Sequence, residues 1–222
     1  LNSFLLNSSN PSTYHLNEGC EEILTVRDQT YIGVELELNV PSTTDFVMRS
    51  LEGTITFHTN IVSTEDPTLY LEGNSFLATN MENAIQTILR SGNHSIYGEM
   101  LEPVRMEAGS ILSGTGKLRN LLTTSSDIAI APDPVSSSID DDTQVLPLRI
   151  ENAILGNAEF DILLEFETPE FYSRLEFETI SSDDNAKLFV NPIETQEGAI
   201  QPSNSYYPIY SFTELQSEIF YK

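Results

Sequence analysis

With 34 Asp plus Glu against 10 Lys plus Arg and a formal charge of −24, this 222-residue chain is long enough for a full core and too acidic to hold phosphates by counterion release. No run of apolar residues approaches the length of a membrane span, and the single Cys20 excludes an intrachain disulfide. Direct nucleic-acid binding and membrane insertion are therefore not expected.

Residues 1–20 are rich in Asn and Ser without a sustained period, which predicts an N-terminal arm. Leu1 in place of Met reads as a removed leader or a late start. Strand patterns begin after Glu21. Ile23–Arg27 and Tyr31–Val40 alternate apolar and polar residues, and Gly53–Val62 sets Ile55 and Phe57 on one face. Thr68–Glu72 is a short strand closed by Gly73-Asn74. Met81–Arg90 carries a stripe of Met81, Ile85, Ile88 and Leu89, with Asn80 as cap and Ser91-Gly92 as stop. That pattern predicts one short helix.

Further strands are expected around Ser95–Met100, Val104–Glu107, Lys117–Leu122 and Asp127–Ala131, with Gly109–Gly116 as an exposed loop. Asp133–Asp142, which holds Pro134 and the run Asp140-Asp141-Asp142, is the strongest loop signal. Val145–Glu151, Glu159–Thr168, Ser173–Ile180 and Lys187–Val190 follow as strands. Leu-Glu-Phe-Glu-Thr occurs at 164–168 and again at 175–179, and the two copies are expected to pair as antiparallel neighbours. Residues 191–222 combine three prolines with many large apolar groups, which predicts a C-terminal arm packed on the domain or on a neighbouring subunit. Together these elements predict an all-β fold: an antiparallel, jelly-roll-like β-sandwich over 21–190 with one short helix and extended arms at 1–20 and 191–222.

The chemistry is thin. Around Gly114-Thr115-Gly116-Lys117, Ile111 stands where a phosphate loop needs its first glycine, and Leu118 stands where it needs a hydroxyl. Of the three histidines, His15 falls in the arm, His58 points outward from a strand and His94 sits in a turn-like Asn-His-Ser. No nucleophile elbow accompanies them. Glu21 and Glu22 beside Cys20 oppose thiolate formation. Zinc spacing is absent. Asp140, Asp141 and Asp142 are the candidate oxygen ligands for calcium, which wants several carboxylates in one loop. Glu35, Glu37, Glu165, Glu167, Glu176 and Glu178 read as the solvent face of half-buried strands rather than as a glycosidase pair.

A non-enzymatic structural subunit without a cofactor is the function these features suggest. Virion components (cement, spike, neck or tail proteins) are the expected class, and a virion or extracellular location follows. The expected partners are copies of the chain or other structural proteins. Phe4, Leu5 and Leu6 in the first arm, and Tyr206, Tyr207, Tyr210, Phe220 and Tyr221 in the last, are the candidate interface anchors. The alternative is a surface module for carbohydrate or a receptor, assisted by calcium.

Overall fold

The computed structural model describes, side chains included, residues 45–58, 68–78, 80, 86–123, 125–134, 147–156, 161–165, 172–182, 189, 191 and 193, and elsewhere the backbone of several further strands. All regular structure among the described residues is β, and most of it is parallel. This overturns the antiparallel sandwich and the jelly roll. The sheet is mostly parallel and curls as a half-barrel.

The register shows how the curling arises. Leu69 lies beside Thr87, Thr87 beside Val104 and Val104 beside Leu121, so each strand neighbours the one a full circuit later. These steps are 18, 17 and 17 residues. One circuit runs through Gln86–Leu89, turns a corner into Gly92–Ile96, turns again into Glu99–Met100, and returns at Val104–Met106. The chain is therefore a stack of coils with three faces, a parallel β-solenoid. Parallel strands normally need a helical crossover. Here the strands of the other two faces serve as the crossover, and the expected helix is not needed. The part of 81–90 that is described, Gln86–Leu89, is a parallel strand with Thr87, Ile88 and Leu89 buried.

Insertions lengthen the later circuits. Leu121 stacks on Ala153, 32 residues on, because the segment after Pro132 intervenes. Phe171–Ser173 folds back antiparallel against Pro134–Ser136 and against the end of Glu159–Thr168. The two Leu-Glu-Phe-Glu-Thr copies do not pair with each other in the described register. The first lies beside Pro192–Glu194, and the second is sandwiched between Leu148–Leu155 and Tyr210–Leu215, parallel to both. The expected Gly109–Gly116 loop is the strand Ser110–Gly114, with Ser110, Leu112 and Ser113 buried.

Alternation along each strand sends one set of side chains into the stack, where like positions pile into columns. Met48, Leu71, Leu89 and Met106 form one such column, and Met100, Leu118, Ile150 and Phe177 another; all are buried. Burying such side chains is the main stabilising term, at roughly 1.5–3 kcal/mol each. Thr123 occupies the position beside Met106, fully buried, and its hydroxyl has no hydrogen-bond partner. A buried hydroxyl without a partner costs stability. Thr123→Val keeps the shape and removes the hydroxyl. It is expected to stabilise the fold by about 1 kcal/mol, read as a rise of about 2–4 °C in Tm; an unchanged or lower Tm would count against the packing described.

The corner between the first two faces has its own column. The Gly73 N–H donates to the Ser91 carbonyl at 2.7 Å, that of Gly92 to Gly109 at 3.0 Å, and that of Gly109 to Asp127 at 2.6 Å. Gly73, Gly92, Gly109 and Asp127 all have positive φ. Repeating the same backbone turn at each level lets coils lie flat on one another.

Candidate functional site

The outer surface is organised by the same register. Bases interrupt the stacked carboxylates: Arg49 lies beside Glu72, Glu99 beside Lys117, and Glu176 beside Arg149, while Glu151 and Glu178, set side by side by the register of their strands, are bonded by Lys117 and Arg149 respectively. Arg49 bonds Glu72 at 2.9 Å, and Arg90 reaches Glu107 at 3.3 Å while lying 4.0 Å over the Tyr70 ring. The few bases of this acidic chain thus tie one coil to the next. Each exposed pair is worth at most about 1 kcal/mol, but each replaces a stacked repulsion.

Lys117 and Arg149 are 32 residues apart yet sit side by side, because the insertion after Pro132 is looped out of the stack. Lys117 Nζ reaches Glu99 at 2.9 Å and Glu151 at 2.6 Å. Hydrogen bonds to Glu151 and then Glu99 raise its pKa. Arg149 pairs with Glu178, the main cause of its own upward shift. Both cations are thereby committed to carboxylates.

These side chains border a cleft of about 300 Å³ at the corner between the second and third faces. It is lined by Asn80, Tyr97, Gly98, Glu99, Thr115, Gly116, Lys117, Pro147, Arg149 and Glu176. The backbone of this corner is knitted coil to coil: the N–H of Gly116 donates to Ile96, that of Lys117 to Gly98 and that of Arg149 to Gly116. The Glu99 N–H donates to Asn80 Oδ1 at 2.9 Å. Tyr97 stands at the rim, 41% exposed. Its ring stacks on Phe76 with centroids 4.8 Å apart, and its hydroxyl donates to Asp133. Burial, helped by that carboxylate, pushes its pKa up to about 12, so the phenol stays protonated at neutral pH.

A serine and a histidine do meet, but inside the stack. Ser75 and His94 are register neighbours, 3% and 0% exposed. The His94 Nε2–H donates to the Arg90 carbonyl at 2.6 Å, which leaves Nδ1 to accept the Ser75 hydroxyl at 2.8 Å. This corrects the turn expected around His94. The spacing suits a nucleophile and its base, yet no substrate reaches a pair sealed in the core. Burial lowers the His94 pKa to about 4, against the upward pull of the Arg90 carbonyl. The imidazole is neutral and structural. His58 is exposed, as its alternation implies. Glu165, Glu176 and Glu178 are half-buried.

Of the expected interface residues, Phe4, Leu5 and Leu6 form a strand parallel to Thr30–Ile32. Tyr210 lies in the strand beside Leu175–Ile180, and Phe220 and Tyr221 lie beside Lys187 and Leu188. Tyr206, Tyr207, Cys20 and the acidic run Asp140–Asp142 fall outside the described residues. Among the described residues no group of three or more His, Cys, Asp or Glu is placed to hold a metal ion. None of their helices is long and apolar enough to cross a membrane, since none of the described residues is helical.

The cleft was missed in the sequence because its walls come from five coils of unequal length. The glycine recurrence at 98 and 116, one circuit apart, is the signal that could have pointed to the corner. Comparison with known proteins found no matching family model, no matching curated protein and no matching solved structure.

Proposed function

We propose that the chain is a non-enzymatic structural module, a stack of coils that spaces and joins the parts of a protein assembly. Copies of itself or other structural proteins are its partners, and virion components such as spike, neck, tail or cement proteins are the class it fits, at a virion or extracellular location. The observation that carries this reading is the coil-to-coil register. Backbone hydrogen bonds, core columns and ion pairs all run from one coil to the next, so cohesion is directed along the stack, as a spacer requires.

Two further features support it. The Ser75–His94 pair offers no accessible nucleophile, and the described cations at 49, 90, 117 and 149 are spent on coil contacts rather than on a phosphate ligand. The net charge of −24 keeps such a surface soluble and repels nucleic acid.

Light scattering on the full chain at low and high salt tests this. A defined oligomer, or association that grows as the carboxylates are screened, is the expected result. A monomer under both conditions would remove the self-assembling form. If the oligomer forms, deleting 203–222 is expected to leave a folded protein that no longer assembles.

A further inference from the structure

We propose that the cleft at Tyr97 is a binding subsite for a neutral sugar residue of a glycan, a contact function beyond the structural role. Tyr97 is the platform of this subsite. Phe76 covers one face of its ring and Asp133 holds its hydroxyl, so the ring is fixed from two sides while 41% of the residue remains exposed. A rigid aromatic face with a polar rim costs little entropy to use and offers a flat platform to the C–H face of a sugar ring. Its position is set by backbone, since the Tyr97 N–H donates to the Leu77 carbonyl of the preceding coil at 2.9 Å.

The walls specify the ligand's charge. Glu99, Lys117, Arg149 and Glu176 stand in one row along the cleft, two carboxylates flanking two cations. Both cations are already held, by Glu99 with Glu151 and by Glu178 respectively. An anionic ligand would have to break these pairs and approach a chain of charge −24. A cationic ligand would compete with the same bases for the carboxylates. Hydroxyl groups, which donate and accept, need neither. They can take the free lone pairs of Glu99 and Glu176, the Asn80 amide and the Thr115 hydroxyl without disturbing an ion pair. The volume of about 300 Å³ is at the small end for ligand sites and suits one or two sugar units.

The test is a glycan array carrying neutral and acidic oligosaccharides, followed by calorimetric titration of the wild type and of Tyr97→Ala with any neutral glycan bound. Binding of a neutral glycan, weakened at least about tenfold (1.4 kcal/mol) by Tyr97→Ala, is the expected result. Tyr97→Phe, which keeps the platform, is expected to retain most of the affinity, and Glu176→Gln to reduce it; these variants keep the question open to decision if Tyr97→Ala fails to fold. Failure to bind any neutral glycan, binding of acidic glycans alone, or binding indifferent to both Tyr97→Ala and Glu176→Gln would each overturn the proposal. None of these outcomes bears on the oligomeric state, so the two readings fail separately.

Discussion

Gly92→Ala is expected to lower stability by about 3 kcal/mol or more, whereas Gly109→Ala, one coil on, costs about 1 kcal/mol. Both glycines occupy the same corner with positive φ, 126° and 79°. They differ in space. A Cβ on Gly92 would lie 2.1 Å from the Gly73 carbonyl oxygen, a backbone atom of the coil beneath that has nowhere to go. A Cβ on Gly109 would meet the Ser91 side chain at 3.4 Å, an ordinary contact, leaving only the conformational strain. Urea midpoints of the two variants compare them directly. Equal costs would mean that the coils are not stacked as closely as the corner hydrogen bonds require.

Acid is expected to destabilise the fold through His94. Its pKa is about 4 when folded, against about 6.5 for a free histidine. Above pH 6.5 the ring is neutral in both states and the folded protein loses nothing. Between pH 6.5 and 4 the unfolded chain takes up the proton first, so stability falls as pH falls through that window. It levels off, for this group, once the folded ring also protonates. The full effect is about 3 kcal/mol. A double variant, Ser75→Ala with His94→Leu, keeps an apolar column beside Leu112 and removes the titrating ring. Its stability between pH 4 and 6.5 is expected to fall less steeply than that of the wild type by that amount. The carboxylates are common to both proteins and cancel in the difference. Parallel profiles would show that His94 is not buried as described.

Strand positions were largely legible in the sequence. Glu159–Thr168 appears with its expected bounds, and Lys117–Thr123 and Ile128–Pro132 lie within a residue or so of theirs. The pairing was not legible. Strict alternation normally signals an antiparallel sheet with one wet face, because parallel sheets are usually covered on both sides. A solenoid breaks that link: its parallel strands face solvent outside and the core inside. Gly73-Asn74, which reads as the close of a strand, and Ser91-Gly92, which reads as the stop of a helix, are corners between faces. The period itself was masked by changing residue types along a column, Leu69, Thr87, Val104 and Leu121 being chemically unlike. Gly73, Gly92 and Gly109, at steps of 19 and 17, were the clearest sign of a repeat.

The helix expectation failed for a related reason. Ile88 and Leu89 fit a helical stripe, but in the stack they are consecutive positions of a strand whose two faces are both buried there. His94 illustrates the same limit. Asn-His-Ser reads as a turn until its register with Ser75 is known. For the site, Tyr97 and Lys117 were visible as residues, but nothing local in the sequence brings Arg149 and Glu176 beside them.

Cross-linking through engineered cysteines tests the parallel stack most directly. Ser95 and Ser113 are register neighbours on adjacent coils, with hydroxyls 2.7 Å apart. In a Cys20→Ser background, Ser95→Cys with Ser113→Cys is predicted to form an intrachain disulfide on mild oxidation, detected by mass spectrometry, because adjacent strands lie about 4.8 Å apart. Ser95→Cys with Ala131→Cys spans two coils, roughly twice that spacing, and is predicted not to link, since Ala131 stacks on Ser113 rather than on Ser95. No bond between positions 95 and 113, or equal linking of both pairs, would contradict the coil-on-coil register on which the structural reading rests.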